Sequence, residues 1–225
     1  MQVHDAIMSR RSVRKFLPKP VPMDSLRRII EGAGMAPSGN NIQPWKLDVI
    51  GGAKKAAMST EILDAIANGN ADDYQPEYPY YPTKWFEPFK TRRQETGYGL
   101  YDKLGIARDD RAARNAQMNK NYEFFNAPIG LFVAFHRDLA TGTYMDIGMF
   151  IENILIGARG EGLHTCGQAA FTWFHSVVRK HLGMPDEELL ACGISLGFED
   201  EGALENEFRV SKLPIGEFTT FIDVE

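Results

Sequence analysis

The residues best suited to binding an anion stand close to the amino terminus. Four cations and one hydroxyl fall within six positions, in the order Arg10, Arg11, Ser12, Val13, Arg14 and Lys15. A guanidinium presents a planar fork of donors that matches phosphate oxygens, so this cluster could hold a phosphate dianion. A run of like charges is also typical of a solvated surface, and the cluster taken alone favours that simpler interpretation.

A second candidate lies between two prolines, in residues 36–45. Its short polar side chains are Ser38, Asn40, Asn41 and Gln43. Amides and a hydroxyl offer directed donors and acceptors to a polar ligand. The same composition is typical of a turn between a helix and a strand. Such a turn does not require Gln43 or Trp45, so a binding loop stays open as an interpretation.

Aromatic side chains are concentrated in residues 74–101, where nine of 28 positions are aromatic. Four prolines interrupt this stretch, so its first half is predicted to be irregular. It could be a lid whose Trp85, Phe86, Tyr98 and Tyr101 stack on a planar ligand, or a segment that wraps around a second copy of the chain. Arg92 and Arg93 could attract an anionic group, although an exposed helix face explains them equally simply.

Hydrophobic periodicity predicts the elements that must position these residues. Strands are predicted at 45–50, 129–135 and 189–198, and helices at 3–9, 22–33, 58–66, 91–104, 109–122, 144–159 and, capped by Thr172, at 172–182. The helix at 144–159 is apolar on almost every side, so we expect it to be central and buried. Few strands among many helices predict an α+β domain with a mixed sheet.

The carboxyl-terminal region changes character twice. Residues 199–207 hold five acids in nine positions, which predicts a solvated linker. Residues 208–225 are apolar again, and an apolar tail has to be buried against another surface.

Composition excludes several classes of protein. The 225 residues are 44% hydrophobic and 24% charged, which argues against a largely disordered chain. The net charge of −5 argues against a general nucleic-acid binder. No apolar run is long enough to span a membrane, and the amino terminus lacks the apolar core of a secretory signal. Cys166 and Cys192 make no disulfide framework or metal cage, so we expect a cytoplasmic protein without a bound metal.

Four short motifs follow one another along the chain. They are Arg10-Arg11-Ser12-Val13-Arg14, then residues 36–45 (APSGNNIQPW), then residues 162–171 (GLHTCGQAAF), then Arg209-Val210-Ser211-Lys212-Leu213-Pro214. In this order they resemble the nitroreductase family of flavin enzymes. Residues 92–97 (RRQETG) and 124–128 (FFNAP) are similar to the branch that includes nitrobenzoate reductases. Each motif is weak alone, and their shared order makes the resemblance specific.

The resemblance implies FMN, bound without a covalent link at the interface of a homodimer. The cofactor contacts it implies are Arg10, Arg11, Ser12, Arg14, Arg209 and Lys212 around the phosphate, the ribityl chain and part of the ring edge. A second subunit would complete the site with its own residues 37–43, that is Pro37, Ser38, Gly39, Asn40 and Gln43. The backbone N–H groups of Ala169 and Ala170, beside Gln168, would face N5 and O4 of the flavin.

The implied activity is a two-step hydride transfer that alternates between two substrates. NADH or NADPH would reduce the flavin and leave, and a nitroaromatic (including nitrobenzoates), a quinone or an activated enone would take the electrons. Flavin itself carries this chemistry, so no catalytic acid or base is expected. The predicted substrate contacts are Arg92, Arg93, Tyr98, Tyr101 and Phe124. His164 and Cys166, in the third motif, are expected to be structural.

The resemblance also implies an α/β/α sandwich with a mainly antiparallel sheet. We expect one FMN-binding domain over 1–225, a lid at 70–123, and a carboxyl-terminal arm at 205–225 exchanged between subunits. Three alternatives stay open: a reductive dehalogenase, a flavin-fragmenting enzyme, and a flavin-binding or storage dimer without turnover.

Overall fold

The computed structural model describes residues 1–69 and 73–224, and it contains one four-stranded sheet. The strands are β1 (Trp45–Gly51), β2 (Ile129–His136), β3 (His164–Gln168) and β4 (Glu188–Gly197), in the spatial order β1-β2-β4-β3. All three pairings are antiparallel. The described residues add one isolated parallel bridge, between Ser12 and Thr165, so the sheet is mainly antiparallel, as expected.

Eight α-helices surround the sheet in the described part of the chain. They are α1 (Val3–Ser9), α2 (Met23–Ala33), α3 (Gly52–Ala67), α4 (Phe89–Lys103), α5 (Arg111–Asn119), α6 (Thr143–Gly160), α7 (His175–Leu182) and α8 (Leu204–Glu207). The seven helices and three strands predicted from the sequence are confirmed, with ends displaced by a few residues. The proposed cap is wrong: Thr172 lies inside a 3₁₀ segment, where its Oγ1 donates to the carbonyl of Ala169 at 2.8 Å.

Strand β2 shows how the layers are built. Leu131, Val133 and Phe135 point to the face covered by α2 and α6, whereas Phe132 and Ala134 point to the face covered by α3 and α7. Successive side chains of a strand alternate between faces, so a strand buried on both sides is apolar throughout. The α/β/α sandwich is confirmed.

Strand β3 occupies a segment that was expected to be a loop. Its sequence, HTCGQ, has no apolar alternation, and the strand pairs with β4 alone. Thr165 and Gln168 are nevertheless buried. Strand β3 thus places the third motif at an edge of the sheet.

Helix α6 is buried on one side within a single chain. Ile147, Phe150 and Ile154 are in the core, whereas Met145 keeps 73% of its surface exposed. The helix is therefore central and buried on its inner face, as its apolar sequence predicts. The outer face of α6 is available to another surface.

Residues 199–207 are not a solvated linker. Glu199 and Asn206 are buried, and the segment includes the short helix α8. Both buried side chains bind polar groups of the amino-terminal run, which explains how polar residues are accommodated in the interior.

The tail beyond α8 is apolar and exposed. Its exposed apolar side chains are Val210, Leu213, Ile215, Phe218, Phe221, Ile222 and Val224. Residues 70–72 and 225, which belong to the predicted lid and arm, lie outside the described residues. No helix in the described ranges is long and apolar enough to cross a lipid bilayer.

Candidate functional site

The amino-terminal cation cluster is fastened to the edge of the sheet. The backbone N–H of Val13 donates to the carbonyl of Thr165 at 3.0 Å, and that of Phe16 donates to Phe125 at 3.0 Å. Val13 and Phe16 are buried, and Arg14 between them is half-buried. The cluster is therefore an ordered part of the fold, which argues against a freely solvated charge run.

The two ends of the chain meet around one cavity, which we call the arginine cavity. It has a volume of about 490 Å³, and its charged and hydroxyl-bearing lining includes Ser9, Arg10, Arg11, Ser12, Arg14, Thr96, Arg209, Ser211 and Lys212. No aspartate or glutamate of the described residues lines it. The structure thus brings together the first and fourth motifs of the sequence, with five cations around one space.

Several of these cations have donors left for a ligand. The side chain of Arg14 makes one long hydrogen bond, from Nη1 to the carbonyl of Ser12 at 3.4 Å. Within the described residues Lys212 has no hydrogen bond or ion pair. Arg10 faces Glu152 at 3.6 Å, and Arg209 donates to the carbonyls of Asn206 and Phe208. The cavity therefore offers uncompensated positive charge to an anion.

Asn206 fastens the carboxyl-terminal cations to the amino-terminal ones. Its Oδ1 accepts from the backbone N–H of Arg14 at 2.8 Å, and its Nδ2 donates to the carbonyl of Lys15 at 2.7 Å. Its own carbonyl accepts from Arg209. A buried amide with its polar groups satisfied fixes the relative position of the two segments.

A buried ion network lies behind the arginine cavity. The carboxylate of Glu199, 2% exposed, binds Nη2 of Arg11 and lies 3.2 Å from Nε2 of His164. Nη1 of Arg159 is 2.8 Å from the same Nε2. A guanidinium can only donate, so Nε2 accepts and the ring is neutral. Burial, together with Arg159 and Arg11, lowers the pKa of His164 to about 4.

The third motif forms the end of β3 and the 3₁₀ segment that follows. The side chain of Gln168 is buried, where Nε2 donates to the carbonyl of Asn121 at 2.6 Å and Oε1 accepts from Ser195 at 2.5 Å. Gly193, opposite Gln168, is required because a Cβ there would lie 2.5 Å from the ring of Phe171. This packing fixes Ala169 and Ala170, the first residues of the segment, whose N–H groups have no acceptor within it.

A smaller cavity of about 270 Å³ adjoins this turn. Gly167, Gln168 and Ala169 line one side, and Tyr78, Tyr80 and Tyr144 line another. Cys192 also borders it, and burial raises the pKa of its thiol to about 12. The other cysteine, Cys166, is buried, and its thiol pKa is also raised by burial. Both thiols are therefore protonated at neutral pH.

The second motif forms the loop between α2 and β1. Pro37, Gly39, Asn40 and Gln43 are exposed, and Ser38 is half-buried. The N–H of Gly39 donates to Asp146 of α6 at 3.2 Å, and that of Gln43 donates to Oγ of Ser38 at 2.9 Å. None of the five lines the arginine cavity of its own chain.

The aromatic stretch of residues 74–101, which we call the aromatic excursion, is anchored at its amino-terminal end, its root. The carboxylate of Glu77, 5% exposed, binds Arg137 at 2.9 Å and Arg179 at 2.7 Å and accepts from the N–H of Leu190 at 2.8 Å. The hydroxyl of Tyr78 donates to the carbonyl of Ala191 at 2.6 Å, and burial raises its pKa. Beyond this root, α4 has no buried residue, although Gly99 lies against the ring of Phe208 and Lys103 pairs with Glu207. Part of its surface is therefore open to other contacts.

The excursion encloses a second cavity, which we call the lid cavity. Its volume is about 670 Å³, and its lining includes Tyr81, Trp85, Phe89, Arg92, Arg93, Thr96, Tyr98, Tyr101 and Arg114. Thr96 lines both the lid cavity and the arginine cavity. The structure therefore places four of the predicted substrate contacts in an aromatic cavity that borders the cationic one.

Phe124 does not belong to this cavity. It is fully buried, and its ring packs against Phe132 at 5.9 Å and Phe171 at 4.7 Å between ring centres. Its prediction as a substrate contact is corrected, because a side chain in the core cannot touch a ligand in the lid cavity.

Three residues of this region escaped the sequence analysis. Arg114 lines the lid cavity, and Glu199 and Asn206 hold the arginine cavity in place. Glu199 and Asn206 stand in an acidic stretch that resembles a linker, and Arg114 lies on a polar helix. Only the tertiary packing distinguishes them from neighbouring surface residues.

Comparison with known proteins defines the class to which this fold and site belong. Residues 7–198 match the sequence model of the nitroreductase family. The chain belongs to the nitroreductase family.

Similar proteins cover nearly the whole chain. It is 36% identical to a nitrobenzene nitroreductase of Ectopseudomonas oleovorans, over 98% of this chain and 96% of that protein. It is 38% identical to a 4-nitrobenzoate reductase of Nocardioides sp. strain LMS-CY, over 99% of this chain and 91% of that protein. The crystal structure of the FMN- and NADPH-dependent nitroreductase NfnB from sphigopyxis sp. strain HMH matches with a TM-score of 0.95 and 35% identity, and 100% of both chains is covered.

Proposed function

We propose that this protein is an FMN-dependent NAD(P)H oxidoreductase that reduces nitroaromatic compounds, nitrobenzoates among them. One observation carries the proposal. A cavity that the described residues line with five cations and no acid borders, at Thr96, a cavity lined by aromatic side chains. The first suits a phosphate, and the second suits a planar aromatic ring.

The donor set fits the phosphate end of FMN. Arg14 and Lys212 have donors without strong partners, and Arg10, Ser12 and Arg209 lie around the same space. In the proposed complex these residues hold the phosphate and ribityl chain. Arg11 stays bound to Glu199 and contributes positive charge to the wall of the arginine cavity. Ala169 and Ala170 offer backbone N–H donors to the ring, and Gln168 holds their turn through Ser195 and Asn121.

Bound FMN supplies the chemistry of hydride acceptance and donation. The protein positions the substrates: Trp85, Tyr98 and Tyr101 provide surfaces for a planar ring in the lid cavity. One cavity serves both the nicotinamide and the acceptor, so the two substrates bind in turn, which predicts ping-pong kinetics. Quinones and activated enones are planar acceptors of the same kind.

A homodimer completes the proposed site. The tail presents Phe218, Phe221 and Ile222, which are all more than 65% exposed, and α4 has no buried residue. A second subunit would cover these apolar surfaces, and its residues 37–43, including Ser38, Asn40 and Gln43, would close the arginine cavity. Such an interface is expected to exceed about 2,000 Å².

We further propose that residues 1–225 act as one FMN-binding domain, with a lid at 70–123 and an exchanged arm at 205–225. The two free, buried cysteines support a cytoplasmic location.

A flavin-binding or storage dimer differs from the enzyme in one respect: it binds FMN without turnover.

The test uses purified protein loaded with FMN and freed of excess by desalting. The proposed enzyme stays yellow and, under nitrogen, oxidises more than one equivalent of NADPH or NADH only when nitrobenzene or 4-nitrobenzoate is present. Yellow protein that oxidises neither nicotinamide supports the storage dimer. Colourless protein after loading contradicts the proposed cofactor.

A further inference from the structure

Three arginines and no acid line the lid cavity among the described residues. Arg92, Arg93 and Arg114 line it together with aromatic, amide and small residues. An aromatic cavity with three uncompensated cations is suited to an aromatic anion, because ring stacking and charge act on the same ligand.

The three arginines differ in what they already contact. The guanidinium of Arg93 lies 5.0 Å from the ring centre of Trp85, and that of Arg92 lies 5.7 Å from the ring centre of Phe89. Both guanidiniums therefore lie over aromatic rings that form the wall of the cavity. Arg114 has no hydrogen bond, ion pair or ring contact among the described residues, and its Nε is buried without a partner.

A buried donor without an acceptor is unfavourable until an acceptor arrives. We propose that Arg114 is the specificity-determining residue that binds the carboxylate of an aromatic acid in the lid cavity. Arg92 and Arg93, stacked on the rings of Phe89 and Trp85, form part of the cavity wall. This assignment rests on the proposed function, since it names the acceptor class of the same site.

The test measures binding, so it does not depend on turnover. 4-Fluorobenzoate and its neutral analogue 4-fluorobenzamide are titrated into the FMN-loaded protein, and their dissociation constants are obtained from ¹⁹F NMR. The variants are Arg114→Gln, which removes the charge, and Arg114→Lys, which keeps the charge without the fork. Arg111→Gln is the matched control, because Arg111 lies on the same helix, is exposed and does not line the cavity.

Arg114→Gln should weaken 4-fluorobenzoate binding by about tenfold or more and leave 4-fluorobenzamide within about twofold. Arg114→Lys should fall between Arg114→Gln and the wild type, and Arg111→Gln should behave as the wild type. Equal losses for both ligands would overturn the proposal, and so would no loss for either. A raised KM for NADPH with unchanged benzoate affinity would assign Arg114 to the nicotinamide phosphates and would also overturn it.

The two proposals fail in different ways. Wild-type protein that binds 4-fluorobenzoate through Arg114 but reduces no nitroaromatic would refute the proposed enzyme and keep this assignment. Protein that reduces nitrobenzene and 4-nitrobenzoate with the same kcat/KM in the wild type and in Arg114→Gln would keep the enzyme and refute the assignment.

Discussion

The guanidinium of Arg11 is bound to the carboxylate of Glu199, which is 2% exposed and also lies 3.2 Å from His164. This contact joins the amino-terminal cation cluster to the residues just after β4. It explains how Arg11 lines the arginine cavity while its guanidinium is held by a buried carboxylate.

Glu199→Ala is expected to destabilise the fold, because the half-buried guanidinium of Arg11 would lose its carboxylate partner. A charged hydrogen bond contributes about 1.5–3 kcal/mol. Glu199→Gln should cost less, since its amide oxygen can still accept a hydrogen bond. Urea unfolding checks this, with the exposed Glu201→Ala as control. An Ala variant at position 199 as stable as that control would show that the pair contributes nothing.

The neutral state of His164 predicts how stability changes with pH. Its pKa is about 4 in the fold, and a free histidine has a pKa of about 6.5, so the unfolded chain takes up a proton first as the pH falls. The free energy of unfolding should therefore decrease from about pH 6.5 down to about pH 4, with at most about 3 kcal/mol from this residue.

Chemical unfolding at several pH values measures this effect. The decrease between pH 6.5 and 4 should be smaller in His164→Gln than in the wild type. His136→Gln is the control, because His136 is exposed. The same pH dependence in all three proteins would place the responsible groups elsewhere.

Arg14→Ala is expected to weaken FMN binding, because its guanidinium is the least engaged of the arginines in the arginine cavity. A charged hydrogen bond contributes about 1.5–3 kcal/mol, so affinity should fall about ten- to a hundredfold. Quenching of flavin fluorescence on titration with apoprotein measures it. Arg27→Ala, an exposed arginine on α2, should bind FMN as the wild type does. Unchanged affinity in Arg14→Ala would remove Arg14 from the phosphate site.

Removal of residues 208–225 is expected to abolish FMN binding and leave protein that aggregates. The deletion takes away Arg209 and Lys212 and the apolar tail that a second subunit is proposed to cover. Sedimentation velocity of the full chain should show a dimer. A full-length monomer of normal stability would contradict the exchanged arm.

The sequence predicted most of the fold because the periodicity of its apolar residues is strong. Strand β2 is buried on both faces, so Ile129–His136 stands out as an apolar run. Strand β3 was missed because an edge strand of five residues is held by backbone pairing and by buried Thr165 and Gln168 instead of an apolar pattern. Local sequence carries no signal for such tertiary pairing.

The candidate site could be predicted only in part. Arg10, Arg14 and Lys212 meet in one cavity as the motifs indicate. Glu199 and Asn206 were taken for solvated residues, since a charged stretch usually is solvated. Their burial depends on partners 188 and 192 residues earlier in the chain. Phe124 is aromatic, as many residues of the predicted lid are, yet it is buried in the core of the sandwich.

The two half-reactions, measured separately on FMN-loaded protein under nitrogen, test the central claim most directly. Addition of NADPH or NADH should bleach the flavin absorbance of the protein, and nitrobenzene added after removal of the nicotinamide should restore it in full. Flavin absorbance that neither nicotinamide bleaches, or that nitrobenzene does not restore, would contradict the account.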